Sequence, residues 1–148
     1  MTEPLAPEQA LERMVAFFES ISPQTVREQL PAVYAPDAFF KDPFNEVRGH
    51  AAIAAIFAHM FEQVDQPRFV VTTRLVQGSQ AFLTWDFLFR MKRFSKQEQC
   101  IRGATHIVFD SQGAVSVHRD YWDAAEELYE KLPVLGALMR WLKRSANK

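Results

Sequence analysis

The feature that most constrains the fold of this chain is a change of hydrophobic pattern near Pro67. Before this residue, apolar side chains recur at helical spacing; after it, β-branched and aromatic residues form runs separated by short turn sequences. The two periodicities require different backbones. A chain with helices first and consecutive strands later is typical of an α+β domain whose helices cover one face of a curved sheet.

The N-terminal half predicts three helices. The first lies in "PEQALERMVAFFESI", where the apolar residues share one helical face. The second begins at Ser22 and Pro23 in "SPQTVREQLPAVYAPD" and is expected to be short and interrupted near Pro31 and Pro36. The third is the alanine-rich segment "GHAAIAAIFAHMFEQV".

Four strands are predicted after Pro67, at roughly "RFVVTTRLVQ", "QAFLTWDFLFRM", "EQCIRGATHIVFD" and "AVSVHRDYW". Short turn sequences separate them, so neighbouring strands are expected to run antiparallel as a meander.

Length and composition favour one domain with a hydrophobic core. The chain has 148 residues, 48% of them hydrophobic, so we expect a single domain over residues 1–148 with a C-terminal helical extension at about 123–146. A net charge of −1 with mixed signs argues against nucleic acid as a partner. Cys100 is the single cysteine, which excludes an internal disulfide, and the sequence shows no zinc-type His/Cys spacing.

The C-terminal extension carries an apolar helical pattern that Pro133 and Gly136 are expected to kink. Its flanking cations, Arg140, Lys143 and Arg144, suit a membrane surface or a helix C-terminus. Packing on the domain or on a second copy is the favoured alternative. Without a leader pattern or an apolar run of membrane-spanning length, the sequence predicts a cytoplasmic protein without stable membrane insertion.

Two motifs give the chain a family resemblance. "YAPDAFFKDPF" followed by "VRGHAAIAAIF", and later "IVFDSQGAVSVHRDYWD", resemble the nuclear transport factor two-like superfamily in its SnoaL-like and ketosteroid-isomerase-like branch. The resemblance implies a cystatin-like, cone-shaped roll, usually a homodimer, in which a curved antiparallel sheet wraps around N-terminal helices. It also implies one apolar pocket for a small apolar molecule, and it implies no cofactor and no metal.

The same resemblance assigns a role to Asp42, which matches the general base of ketosteroid isomerases. The matching oxyanion-hole positions are Phe18 and Thr105. Phenylalanine donates no hydrogen bond and threonine is a modest donor, so a ketosteroid isomerase as such is not expected. Other branch members, such as polyketide cyclases and limonene epoxide hydrolase, place acid and base groups on the long strands instead.

Strand alternation selects the side chains that reach the pocket. His118, Asp120 and Trp122 share one face of the last strand, and the family pattern turns that face inward. Trp85 and Phe87 lie on the apolar face of the second long strand, with Thr105 facing inward on the third. The predicted set is therefore catalytic Asp42, Asp120 and His118, with ligand-binding residues Phe18, Trp85, Phe87, Thr105 and Trp122.

Each polar residue has a structural alternative. Asp42 precedes Pro43 and is also suited to beginning a turn. His118 and Asp120 are also suited to a structural pair with each other or with Arg102. Two function hypotheses follow: a cofactor-free isomerase, cyclase or hydrolase with Asp42 and Asp120 on opposite walls of the pocket, and a non-catalytic ligand-binding or dimerisation domain.

Overall fold

The computed structural model of the protein describes residues 3–92, 96–128 and 141–146. Its elements confirm the α+β prediction. They are α1 (Pro7–Glu19), α2 (Pro23–Val33), β1 (Tyr34–Lys41), β2 (Glu46–Arg48), α3 (His50–Gln63), β3 (Val64–Gln77), β4 (Gln80–Met91), β5 (Glu98–Phe109), β6 (Val115–Tyr121) and α4 (Ala124–Glu127).

The second helix begins as the sequence predicts and ends differently. The Thr25 amide donates to Ser22 Oγ at 3.1 Å, and the Ser22 amide donates to Thr25 Oγ1 at 2.8 Å, which is a reciprocal N-terminal cap. The predicted break near Pro31 is wrong, because α2 continues through Pro31 to Val33. Pro31 removes a single backbone donor, and it does so in the last turn, where the helix is about to end.

The sheet contains two strands beyond the four predicted ones. Its order is β2-β1-β6-β5-β4-β3, and β3 to β6 form the expected antiparallel meander. β1 pairs parallel with β6 and antiparallel with β2, so the sheet is mixed and the purely antiparallel prediction is corrected. The segment expected to end an interrupted helix is β1, where Pro36 biases the preceding residue towards extended backbone.

Register shifts curve this sheet. β3 shifts against β4 at two places, between Asp65 and Arg68 and again between Val71 and Thr73. Further shifts occur along β1 and at the start of the β5–β6 pairing. Bulges of this kind bend strands and increase their twist. The strand order leaves β2 and β3 as edges, so the sheet is a curved, unclosed layer that gives the domain a cone-like shape.

The helices cover the concave face of the sheet, where the hydrophobic core lies. Along β4 the buried side chains are every second residue, as the alternation predicts. These inward residues are Ala81, Leu83, Trp85, Phe87 and Phe89. The buried face of α1 packs above them, and Met14 and Phe17 at its centre are fully buried.

The opposite face of the sheet carries several exposed apolar side chains. Val70, Leu75, Phe82 and Tyr121 are 41–65% exposed. Phe82 stacks on His106 with ring centroids 4.5 Å apart, and the Arg119 guanidinium lies 4.7 Å from the centroid of the Tyr121 ring. Apolar and polar groups are therefore mixed on this outer face.

The chain after β6 turns back onto β5. Asp123 caps α4 by accepting from the Glu126 amide at 3.2 Å. Glu127 is buried, and its Oε1 lies 2.6 Å from Arg102 Nη2 and accepts a hydrogen bond from Arg102 Nε at 2.8 Å. This ion pair ties α4 to β5. Residues 141–146 are helical. The predicted kink at Pro133 and Gly136 lies outside the described residues. Within the described parts of the chain, no helix has the length and apolarity needed to cross a membrane.

Phe17 tests the packing of α1 on the sheet. It is 0% exposed, and its ring contacts those of Phe18, Tyr34 and Phe57 at centroid distances of 5.4–6.3 Å. Phe17→Ala should lower the free energy of unfolding by about 3–5 kcal/mol, because it leaves a cavity among rings that cannot collapse together. Urea denaturation measures the loss. Phe44→Ala, at a 54% exposed phenylalanine, is the control and should cost far less; equal losses would contradict this packing.

Candidate functional site

A cavity of about 1180 Å³ opens between α3 and the concave face of the sheet. Ligand sites for small molecules commonly enclose about 300–1,000 Å³, so this cavity is slightly larger than that range and has room for a small organic molecule. Most of its described lining is apolar. The aromatic part of that lining consists of Phe40, Phe44, Phe57, Phe69, Trp85, Phe87, Phe89 and Trp122.

Asp120 brings a carboxylate to this apolar wall. Its Oδ1 accepts two hydrogen bonds, from Thr105 Oγ1 at 2.6 Å and from His118 Nε2 at 2.7 Å. Within the described residues, Oδ2 receives no protein hydrogen bond. The side chain is 18% exposed and lines the cavity. One oxygen of Asp120 is thus held by the protein while the other remains available to a ligand.

His118 lies behind the cavity wall, between Asp120 and Tyr34. It is 1% exposed, and its Nδ1 is 2.7 Å from the Tyr34 hydroxyl oxygen. Phe40 and Phe18 pack against the imidazole at centroid distances of 4.5 and 5.6 Å. His118 therefore reaches a ligand only through Asp120.

The hydrogen-bond partners determine which nitrogen of His118 carries the proton. Burial raises the pKa of Tyr34 well above its ordinary value, and the negative charge of Asp120 raises this pKa further. Tyr34 is thus a neutral phenol with one proton to donate, and Nδ1 is the acceptor within reach. We assign the neutral tautomer with its proton on Nε2, because it gives both Tyr34 and the Asp120 carboxylate a matching partner.

Trp85 supports Asp120 from the other side. Its indole Nε1 donates to Thr105 Oγ1 at 2.7 Å, and the Thr105 hydroxyl donates onward to Asp120. Thr105 is 2% exposed and does not appear in the described cavity lining. Its hydroxyl faces Asp120 rather than the open space of the cavity.

Asp42 occupies a turn, as its structural alternative predicts. Its Oδ1 accepts from the Phe44 amide at 2.8 Å and from the Asn45 amide at 2.7 Å, and Asn45 Nδ2 lies 3.1 Å from both carboxylate oxygens. Asp42 lines the cavity, but the expectation that it faces Asp120 from the opposite wall is wrong. Lys41 pairs with Arg119 in parallel register, so Asp42 follows β1 directly beside Asp120 on β6.

The remaining predicted residues divide into two groups. Trp85, Phe87 and Trp122 line the cavity, whereas Phe18 is buried behind the wall like Thr105 and His118. Their predicted roles in catalysis and binding stay predictions. The alternative pairing of Asp120 with Arg102 does not occur, because Arg102 points to the other face of β5 and binds Glu127.

Sequence reasoning missed several polar groups. His59, Gln63 and Lys92 line the cavity, and Tyr34 anchors His118. The signal for His59 and Gln63 was available, since both share a helical face with cavity-lining residues one turn earlier in α3. No comparable signal marked Tyr34, because its role depends on the unpredicted pairing of β1 with β6. In the parts of the chain that the structure describes, no three His, Cys, Asp or Glu side chains are grouped to hold a metal ion.

Comparison with protein families gives a match over most of the chain. The model of the SnoaL-like domain matches residues 11–118. No curated protein matches the sequence.

Solved structures share the fold at low sequence identity. A hypothetical protein with a ketosteroid isomerase-like fold from Catenulispora acidiphila, solved in complex with trimethylamine, has a TM-score of 0.69 at 15% identity over 86% of this chain and 92% of its own. An NTF2-like protein of unknown function from Burkholderia pseudomallei has a TM-score of 0.70 at 14% identity over 82% and 95%. An LEH-like epoxide hydrolase from M. tuberculosis has a TM-score of 0.63 at 16% identity over 82% and 85%.

The buried phenol of Tyr34 makes stability depend on alkaline pH. Because the folded-state pKa of Tyr34 is raised, its stabilising contribution is complete below the pKa of about 10 in the unfolded chain and is lost as the pH rises towards the folded-state pKa. Above pH 10, the free energy of unfolding of the wild type should fall more steeply than that of Tyr34→Phe, by up to about 1.4 kcal/mol per pH unit. Urea denaturation across alkaline pH checks this, and equal slopes would contradict it.

Proposed function

The chain belongs to the SnoaL-like domain family, and we propose that its cavity binds a small apolar molecule from which Asp120 removes a proton. In this proposal Asp120 is the catalytic residue, and His118 acts through it. Trp85, Phe87 and Trp122 form walls for the ligand. The proposal includes no cofactor and keeps the cytoplasmic location that the sequence predicts.

One observation carries the proposal: Asp120 lines an apolar cavity, and of its two carboxylate oxygens only Oδ1 is held by hydrogen bonds from the described residues. A general base must lie within hydrogen-bonding reach of the proton that it removes. Apolar surroundings remove competing water from the carboxylate, and the fixed Oδ1 restricts how the side chain can turn. Both effects favour proton transfer to Oδ2 from a ligand seated against the aromatic walls.

The groups around Asp120 indicate which substrates it can serve. Removing a proton beside a carbonyl leaves negative charge on oxygen, and ketosteroid isomerases meet that charge with donors at positions that match Phe18 and Thr105. Phe18 offers no donor, and the Thr105 hydroxyl already donates to Asp120. The proposed substrate is therefore a carbon acid that delocalises the resulting negative charge within its own structure. A molecule whose acidic carbon lies between two carbonyl groups is an example.

Epoxide opening is supported less well by the site. One structural neighbour is named an LEH-like epoxide hydrolase. Opening an epoxide requires a base for water and an acid for the epoxide oxygen. Both carboxylate oxygens of Asp42 accept hydrogen bonds from N–H groups of its turn, so Asp42 is poorly placed to supply that proton.

A chemical probe tests the base without knowledge of the natural substrate. In 5-nitrobenzisoxazole, a base takes the proton at C3, the C–H electrons complete a carbon–nitrogen triple bond, and the N–O bond breaks, which opens the ring to a single cyano-substituted nitrophenolate. The nitro group stabilises the phenolate, so no oxyanion hole is needed. Wild-type protein should accelerate this elimination, and Asp120→Asn should lower the protein-dependent rate on the order of 10²-fold, the usual contribution of a positioned base.

Absorbance of the nitrophenolate measures the rate, and Asp86→Asn is the matched control on the outward face of β4. The control should react like the wild type. If Asp120→Asn also reacts like the wild type, Asp120 is not the base. Fluorescence of Nile red, a neutral apolar dye, reports the cavity separately. Dye binding without any Asp120-dependent elimination would favour the alternative, a non-catalytic ligand-binding domain.

We also propose that two copies associate through the outer face of the sheet. Leu75 and Phe82 are exposed there by 65% and 51%, amid charged and aromatic side chains. A two-fold interface of this kind would bury the apolar groups while pairing the polar ones.

The assembly is tested by light scattering coupled to gel filtration. At micromolar concentration the wild type should elute with twice the monomer mass, whereas Phe82→Glu should shift towards monomer because it would bury an unpaired charge. Ala51→Glu, at an exposed position on α3, is the control and should stay dimeric. A monomeric wild type would contradict the proposal.

A further inference from the structure

We infer that Gly103, Trp85 and Thr105 form a positioning relay that orients Asp120, so that only Oδ2 meets the ligand. The inference rests on the proposed function, since it concerns the same carboxylate. It assigns the polar atoms of Trp85 and Thr105 to Asp120 rather than to the ligand, and it gives Gly103 a role in the site.

Gly103 provides the space that the relay requires. Trp85 on β4 and Gly103 on β5 are paired in register. A Cβ atom placed on Gly103 would lie 2.3 Å from Trp85 Cη2 and 2.4 Å from Cζ2. These are atoms of a buried rigid ring, which cannot move aside as the end of a flexible side chain can. The indole therefore lies across β5 because residue 103 has no side chain.

From this position the indole reaches the next inward residue of β5. Its Nε1 is 2.7 Å from Thr105 Oγ1. An indole N–H donates and never accepts, so Thr105 Oγ1 is the acceptor of the hydrogen bond from Trp85. The direction of the relay is thereby fixed, because the hydroxyl proton of Thr105 is left for Asp120 Oδ1 at 2.6 Å.

The sheet register completes the relay. Thr105 and Asp120 are paired across β5 and β6, which brings their side chains together on the concave face. His118 supplies the second donor to the same oxygen at 2.7 Å. Two donors, Thr105 and His118, hold Oδ1, so rotation of the carboxylate is restricted and Oδ2 keeps one orientation.

Thr105 offers a matched pair of variants. Thr105→Val removes the hydroxyl with little change of shape, and Thr105→Ser restores it. In the elimination of 5-nitrobenzisoxazole, Thr105→Val should lower kcat on the order of 10-fold with KM nearly unchanged, because the base is misoriented while the walls remain. The acid limb of its pH–rate profile should also move to higher pH, since the carboxylate loses a donor that stabilises its charged form. Thr105→Ser should restore both properties.

Gly103→Ala tests the first step of the relay. Its methyl group should displace the indole and reproduce the altered pH profile of Thr105→Val. In a Trp85→Ala background the same substitution has no ring to displace, so it should change the profile no further. A Gly103→Ala protein with the wild-type rate and profile would overturn the role of Gly103.

The outcomes separate this inference from the proposed function. If Asp120→Asn loses the elimination while Thr105→Val keeps the wild-type rate and pH profile, Asp120 is the base and the relay is overturned. If the wild type reacts no faster than Asp120→Asn, the proposed function fails, and the relay is decided by the ¹³C resonance of the Asp120 carboxyl carbon. That resonance should move in Thr105→Val and return in Thr105→Ser; an unmoved resonance would overturn the relay.

Discussion

A carboxylate in an apolar wall must receive hydrogen bonds, and the site depends on how Asp120 obtains them. Its donors, Thr105 and His118, are themselves held by groups on other strands, Trp85 on β4 and Tyr34 on β1. β6 lies between β1 and β5 in the sheet. The hydrogen bonds from Trp85 through Thr105 and those from Tyr34 through His118 can therefore meet at one residue of β6, Asp120. The parallel pairing of β1 with β6 thus serves the site as well as the sheet, because it brings Tyr34 to His118.

The helices determine which end of the concave face is filled and which is open. Phe17 and Phe18 of α1 pack over the hydrogen-bonded pair Tyr34 and His118. Phe17 contacts the Tyr34 ring, and Phe18 contacts the His118 imidazole. Water is thereby kept from Tyr34 and His118, where an unsatisfied polar atom would be costly. α3 lies against the other end of the sheet and leaves the cavity between its inner face and the strands. One layer of aromatic rings therefore serves both as hydrophobic core and as wall of the cavity.

Local patterns in the sequence were sufficient to predict the meander and its inward residues. Alternation along β4 identified Trp85 and Phe87; along β6 it grouped Asp120 with Trp122, and the family resemblance implied that this face is the inward one. The position of β1 was not predictable, because its two pairings are contacts distant in sequence. The contact between Trp85 and Gly103 likewise depends on the register of two strands, which alternation leaves undetermined. The sequence left both Asp42 and Asp120 as catalytic candidates, and their hydrogen-bond partners in the structure distinguish them.

That distinction bears on the chemistry available to the cavity. Both oxygens of Asp42 accept hydrogen bonds within its turn, whereas Asp120 lines the cavity with only Oδ1 held by described residues. Under the proposed function a single carboxylate acts on the ligand, so the group that would remove a proton is also the group placed to return it. Isomerisation suits this arrangement, because the proton leaves one carbon and is delivered to another atom of the same ligand. Ring closure suits it as well, since the carbanion attacks within the ligand and the alkoxide that forms can recover the proton from Asp120. Hydrolysis, which consumes water and needs a separate acid at the leaving oxygen, fits this carboxylate arrangement less well.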